Sequence, residues 1–180
     1  MIIELDSLRQ FDEAIAPGPE AIFPDYEEFS TPSMGIYNPN IATNKIRNFF
    51  VETLAKGDVL PYFKIFVHTD SEDPNDTSKY TCLHIWQGYT ELLTNERMFS
   101  EILWQSRGMN VSTITHGKAM LSLLKHAEKY AKNNGFHSLV LTRDPNLHML
   151  NKENQPLNIT NYFTRSGYDP CIIKYVKKLK

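Results

Sequence analysis

The chain is 180 residues and 20.8 kDa, the size of one ordinary domain of about 100–200 residues. Its 41% hydrophobic and 22% charged residues speak against a disordered, collagen-like or coiled-coil chain, and no apolar run reaches the roughly 18 residues of a membrane span. A net charge of −2 argues against dedicated nucleic-acid binding. The charge is unevenly spread. Residues 1–76 hold 14 acids and 5 bases, whereas residues 77–180 hold 7 acids and 14 bases. That split suits a cationic partner for the first half and an anionic one for the second; two solvated faces would give the same counts.

The opening MIIELDSLRQ has no basic lead-in and is broken by Glu4 and Asp6, so it does not read as a secretory signal. A cytoplasmic protein is expected. Cys82 and Cys171 are far apart and form neither a CxxC pair nor a disulfide framework.

In chain order, Met1–Leu5 reads as a short strand. Asp6 or Ser7 caps a helix carrying Leu8, Phe11 and Ile15 at helical spacing, and Pro17 stops it. Residues 17–40 hold Pro17, Pro19, Pro24, Pro32 and Pro39 and read as irregular. A helix is predicted over 43–56, capped by Thr43 or Asn44, with Ile46, Phe49, Phe50 and Leu54 as its buried stripe and Gly57 as its stop.

The period then changes. Pro61–Asp70 and Tyr80–Tyr89 are rich in aromatic and β-branched residues, and the polar SEDPNDTSK between them suits an antiparallel hairpin. Arg97–Gln105 is a third strand of the meander. The clearest helix covers about 115–134, with Met120, Leu124, Ala127 and Ala131 on one face, reinforced by Leu121, Leu123 and Tyr130. Asn133-Asn134-Gly135 supplies a left-handed stop. Phe136–Thr142 reads as a buried strand, 143–157 as loop, Asn158 to Gly167 as a short helix and its stop, and Cys171–Leu179 as a last strand. A meander followed by strand–helix–strand gives an α+β domain with a mixed sheet and helices on its faces.

The segment most suggestive of chemistry is STITHGKAMLSLL, where a polar loop enters the long helix. Free N–H groups and the positive end of the helix dipole suit phosphate there. It is neither a Walker A loop nor a Rossmann fingerprint, since GxxxxGK[ST] and GxGxxG do not occur. No HxH, HExxH or EF-hand spacing points to a metal, and no GxSxG elbow to a nucleophilic triad.

Three features together resemble the GCN5-related N-acetyltransferase (GNAT) family. Gly117-Lys118-Ala119 matches the end of the family's [RQ]-x-x-G-x-[GA] coenzyme A loop, whose opening Arg or Gln falls here at Ile114. AMLSLLKHAEKYAKNNGF running into HSLVLT matches the following helix and strand. NYFTRSGYDP matches the short helix with its aromatic pair and the Gly-aromatic before a final strand.

The resemblance implies a single GNAT-like domain over 1–180, with residues 1–96 as its acceptor-side half and 97–180 as its acetyl-coenzyme A half. It implies a mostly antiparallel mixed sheet with splayed central strands, Arg97–Gln105 and Phe136–Thr142. Acetyl-coenzyme A would lie between them, its pyrophosphate on N–H groups of Thr115, His116, Gly117, Lys118 and Ala119, its pantetheine arm along Leu103, Trp104 and Gln105. Backbone N–H groups near Leu103 to Gln105 would meet the oxyanion. The activity implied is direct transfer of an acetyl group to a primary amine, with no metal. The alternative is a catalytically impaired module of the same fold that binds protein. Neither nucleic acid nor membrane is an expected partner, and a homodimer is compatible with the sequence.

The reaction needs a neutral amine. An alkylammonium of pKa near 10.4 is only about one part in 10³ neutral at pH 7, a cost of roughly 4–5 kcal/mol. Glu101 is the candidate base: some family members keep a glutamate at this point of the strand, and alternation with Phe99 and Leu103 would desolvate it. The family's frequent acid is the Tyr of a Phe-Tyr pair. Here the order is Tyr162-Phe163, so Tyr162 is the available phenol, turned about 100° from Phe163 on a helix. His84 and His68 are further candidate bases from neighbouring strands, and His116 a candidate phosphate contact.

Overall fold

The computed structural model describes residues 1–15, 39–57, 62–106, 114–141 and 163–169, of which 14–15, 39–46, 103–106 and 114–117 are described by backbone alone. The segment expected to be irregular, as far as residue 38, lies outside the described residues. So do the loop 143–157, the start of the short helix at Asn158, and the last strand Cys171–Leu179.

The elements run β1 (Ile2–Glu4), α1 (Leu8–Ile15), α2 (Pro39–Lys56), β2 (Tyr62–Thr69), β3 (Tyr80–Thr90), β4 (Arg97–Ser106), α3 (Ile114–Asn133) and β5 (Ser138–Val140). Among the described residues one sheet contains five strands in the order β1-β2-β3-β4-β5. The first four are antiparallel neighbours, and β4–β5 is a parallel pair reached through α3. This is the expected α+β mixed sheet.

Helices cover both faces of the sheet, so its central strands are buried on both sides. On one face Phe63, Ile65, Val67, Leu83 and Ile85 pack with Leu5, Phe11 of α1 and Phe50 of α2. On the other, Tyr62, Phe66, Cys82, Trp86 and Phe99 pack with Ala119, Leu123, Leu124, Ala127 and Ala131 of α3. Fully burying a large apolar side chain stabilises by about 1.5–3 kcal/mol. The turn 163–168 joins this second cluster through Phe163 and Tyr168, and the Tyr168 hydroxyl donates to Glu128 of α3.

Local signals explain the helix ends. Ser7 Oγ accepts the Gln10 N–H at 3.3 Å, and Gln10 Oε1 reaches back to the Asp6 N–H at 3.2 Å, a reciprocal cap of α1. At the end of α3, Gly135 takes φ +69°, its N–H meets the Lys132 carbonyl, and the Phe136 N–H meets the Ala131 carbonyl at 3.0 Å. These bonds satisfy carbonyls that the last turn would otherwise leave open.

Two expectations need correction. Helix α2 begins at Pro39, ahead of the predicted caps Thr43 and Asn44, because a proline's missing donor costs nothing in a helix's first turn. Its buried stripe is also rotated. Phe50 and Thr53 face the sheet, while Phe49 and Leu54 are 41% and 42% exposed. The Thr53 hydroxyl makes burial tolerable by donating to the Phe49 carbonyl and accepting the Phe63 N–H.

Candidate active site

The parallel pair β4–β5 shapes the candidate site. It closes at one end: the Arg97 N–H donates to His137 Nδ1, and the His137 N–H to the Arg97 carbonyl. Pairing then runs through Met98–Ser138, Phe99–Leu139 and Ser100–Val140. Strand β5 ends there, shorter than the predicted Phe136–Thr142, whereas β4 continues to Ser106. From Glu101 onward β4 is paired with β3 alone among the described residues.

A bulge falls at the same point. Leu103 pairs with Ile85 and Glu101 with Trp86, so Ile102 is an extra residue on β4. Bulges bend a strand and increase its twist. This one lies just beyond the last β4–β5 pair, and Ile102 packs toward the α1–α2 face.

Glu101 is therefore on the α3 side, directly opposite Trp86, and only 4% exposed. Trp86 is fully buried, and its ring stacks on Phe99 at 5.1 Å with an interplanar angle of 12°. His84, also buried, stands 5.9 Å from the Trp86 ring. The sheet thus places a carboxylate, an indole and an imidazole together on one dry face beside the end of the β4–β5 pairing.

The other sequence-derived candidates fall as follows. Leu103, Trp104 and Gln105 occupy the part of β4 beyond β5, opposite Ile85, His84 and Leu83. Helix α3 opens at Ile114, so Thr115, His116 and Gly117 are in its first turn, where N–H groups lack a carbonyl one turn back. Lys118 and Ala119 come next; Lys118 is exposed, and Ala119 is buried against the sheet. Tyr162 lies outside the described residues, next to the half-buried Phe163.

His68 is held structurally. Its Nδ1 lies 2.8 Å from Thr81 Oγ1. Burial pushes its pKa down, the N-terminal ammonium adds to that, and Asp70 opposes both. Burial raises the Cys82 thiol to about 11, which leaves it inert at neutral pH. Among the described residues no group of three or more His, Cys, Asp or Glu could hold a metal ion, and no helix is long and apolar enough to cross a membrane. A separate shallow groove of about 240 Å³ lies between α2 and β2, lined by Phe50, Thr53, Leu54 and Phe63, with Lys64 at its edge paired to Glu4 at 2.7 Å.

Sequence reasoning missed Trp86 and the Arg97–His137 clasp. Strand periodicity indicated that Trp86 would be in the sheet, but whether a buried indole finds an acceptor depends on tertiary packing.

No family model matches the chain, and no curated protein sequence matches it. Solved structures do. A protein described as "a probable acetyltransferase" aligns over 100% of this chain and 98% of its own, at 13% identity and a TM-score of 0.62. An aminoglycoside acetyltransferase from an uncultured soil metagenomic sample, in complex with sisomicin, aligns over 100% and 96% at 14% identity and 0.56. A GNAT family acetyltransferase from Staphylococcus aureus aligns over 99% and 98% at 13% identity and 0.54. These are likenesses of fold. The chain has the GNAT, or acyl-CoA N-acyltransferase, fold.

Proposed function

We propose that this chain is a GNAT-family N-acetyltransferase that uses acetyl-coenzyme A to acetylate a primary amine. One domain spans 1–180, with 1–96 forming the acceptor side and 97–180 the acetyl-coenzyme A side. The observation that carries the reading is the parallel pair that stops at Ser100–Val140 while β4 runs on to Ser106. Among the described residues the β4 edge from Glu101 on is unpaired on this side, and such an edge offers N–H and C=O groups to an extended ligand bearing amides, as a pantetheine arm does. The start of α3 is suited to a pyrophosphate. The N–H groups of Ile114 to Gly117 lead there, Lys118 and Ala119 completing the loop motif and the Lys118 ammonium adding charge.

In this mechanism the backbone at Leu103 to Gln105 orients the thioester and donates to its oxygen. Glu101 accepts a proton from the amine as nitrogen attacks the carbonyl carbon. The C–S bond then breaks, and the departing thiolate is protonated, with Tyr162 the proposed donor. The acceptor is an amine whose identity the residues do not specify. The acetyltransferase names among structures of like fold support an acyl-transfer reading.

The test has two stages. Acetyl-coenzyme A at about 100 times its Kd should stabilise the protein by about 2.7 kcal/mol, read as a rise in Tm. Incubation with panels of polyamines, aminoglycosides, amino acids and peptides should then release free thiol with one of them. No Tm shift at millimolar acetyl-coenzyme A overturns the proposal. Binding without thiol release favours the protein-binding module.

A further inference from the structure

Helix α3 carries its charges unevenly. Lys118, Lys125, Lys129 and Lys132 are all exposed, and at helical spacing they fall within about 60° of one another around the axis. They form a line about 21 Å long. It runs down the side of α3 opposite the face that buries Leu123, Ala127 and Ala131 against the sheet.

Nothing in the described residues neutralises this line. None of the four lysines is in an ion pair there, whereas Arg9 of α1 and Lys56 of α2 are each matched by an acid one turn away. Helix α3 has one acid, Glu128, and its carboxylate accepts from the Tyr168 hydroxyl. Lys125 and Lys129 are four residues apart, and Lys129 and Lys132 three, spacings at which like charges destabilise a helix. The helix dipole favours Lys132 in the last turn. It does not favour Lys118, which lies near the positive end.

Shape and neighbours narrow the partner. A single file of cations fits a linear polyanion better than the plane of a lipid surface. On α3 the exposed residues beside the lysines are Leu121, Ser122, Glu128 and Asn133. They offer no ring on which a nucleobase could stack and no arginine fork for a phosphate, and Glu128 repels a phosphate backbone. Leu121, partly exposed, offers an apolar contact between Lys118 and Lys125. An extended peptide of about six residues covers the length of the line.

We propose that the outer face of α3 is a docking surface for an acidic segment of a partner polypeptide. Lys125, Lys129 and Lys132 meet its carboxylates, and Leu121 meets an apolar side chain. The inference does not depend on acetyl transfer. Lys118, at the head of the line, is the one residue the two readings share.

Fluorescence anisotropy on the full chain tests it, with a labelled peptide of about eight residues, glutamates around a central leucine. Binding is expected at about 50 mM salt and should weaken by about 200 mM. Lys125→Gln/Lys129→Gln should raise Kd about two- to thirtyfold. Lys56→Gln/Lys79→Gln, the same charge change at exposed sites off the line, should leave Kd unchanged. Amide shifts of the ¹⁵N-labelled wild-type chain need no variant: the peptide should move signals from 121–133 most. No binding at low salt, equal losses in the two double variants, or shifts centred elsewhere overturn the proposal. So does tighter binding of an oligothymidylate or of phosphatidylserine vesicles that the α3 variant abolishes, since the surface then serves a different partner. The Tm rise with acetyl-coenzyme A does not enter this test, so either reading can fail alone.

Discussion

The backbone N–H of Arg97 donates to His137 Nδ1 at 3.0 Å, and the backbone N–H of His137 donates to the Arg97 carbonyl at 2.8 Å. A side chain thus completes a backbone ladder at the point where the parallel pair begins. Replacing His137 with Ala leaves the Arg97 N–H without this acceptor, and urea unfolding should show a loss of about 0.5–1.5 kcal/mol. His137→Asn, which keeps a short acceptor, should lose less. Equal losses would mean that the bond contributes nothing.

Glu101→Gln keeps shape and burial but cannot take a proton. Thiol release should fall by about 10²–10⁴-fold, while the Tm rise with acetyl-coenzyme A is retained. Wild-type turnover in this variant would remove Glu101 from the chemistry.

His126 projects from α3 with its imidazole edge-on to Phe66 at 4.7 Å. Burial depresses its pKa, and Lys129 adds to that while Glu4 opposes it. Above about pH 6.5 the ring is neutral folded or unfolded, and titration costs nothing. Below that pH the unfolded chain binds the proton more readily than the folded one, so stability falls as the solution becomes more acid. The urea midpoint of His126→Gln should therefore drop less than wild type between about pH 7.5 and 5.5. An unchanged slope would assign the effect to His68, whose pKa is displaced the same way.

Gly135 holds φ +69°, and a Cβ there would meet Arg97 Nη1 at 3.4 Å. Gly135→Ala should destabilise by about 1–2 kcal/mol from backbone strain alone. Calorimetry at neutral pH would show it, and an unchanged Tm would mean the turn can relax.

Leu123 and Leu121 stand two residues apart on α3, the first fully buried and the second 37% exposed. Leu123→Ala should cost about 2–5 kcal/mol through lost burial and the cavity left behind. Leu121→Ala should cost much less. Comparable losses would place Leu121 in an interface that the isolated chain does not show.

Much of this architecture was legible because period and punctuation agree. The aromatic and β-branched runs became β2, β3 and β4, and Asn133-Asn134-Gly135 became the stop of α3. Helix α2 was less legible. Prolines usually mark irregular chain, so Pro39 obscured a helix start. Phe49, strongly apolar, stacks on the Phe63 ring at 4.8 Å instead of entering the core. Glu101 could be nominated from alternation and family likeness. Splaying of β4 and β5 was expected from the same likeness, but the residue at which β5 stops pairing, Val140, was not legible. That is settled by contacts between segments distant in sequence.

Strand order along the sheet repeats strand order along the chain. Strands β2, β3 and β4 can be laid each against the next, which keeps the closing loops short and their entropy small. Strand β5 must wait for the twenty-residue helix that carries it back, and β1 is separated from β2 by the still longer stretch that holds α1 and α2. The two margins of the sheet, β1 and β5, are thus the late-assembling parts among the described residues, and hydrogen exchange should find their amides the quickest of the sheet to open.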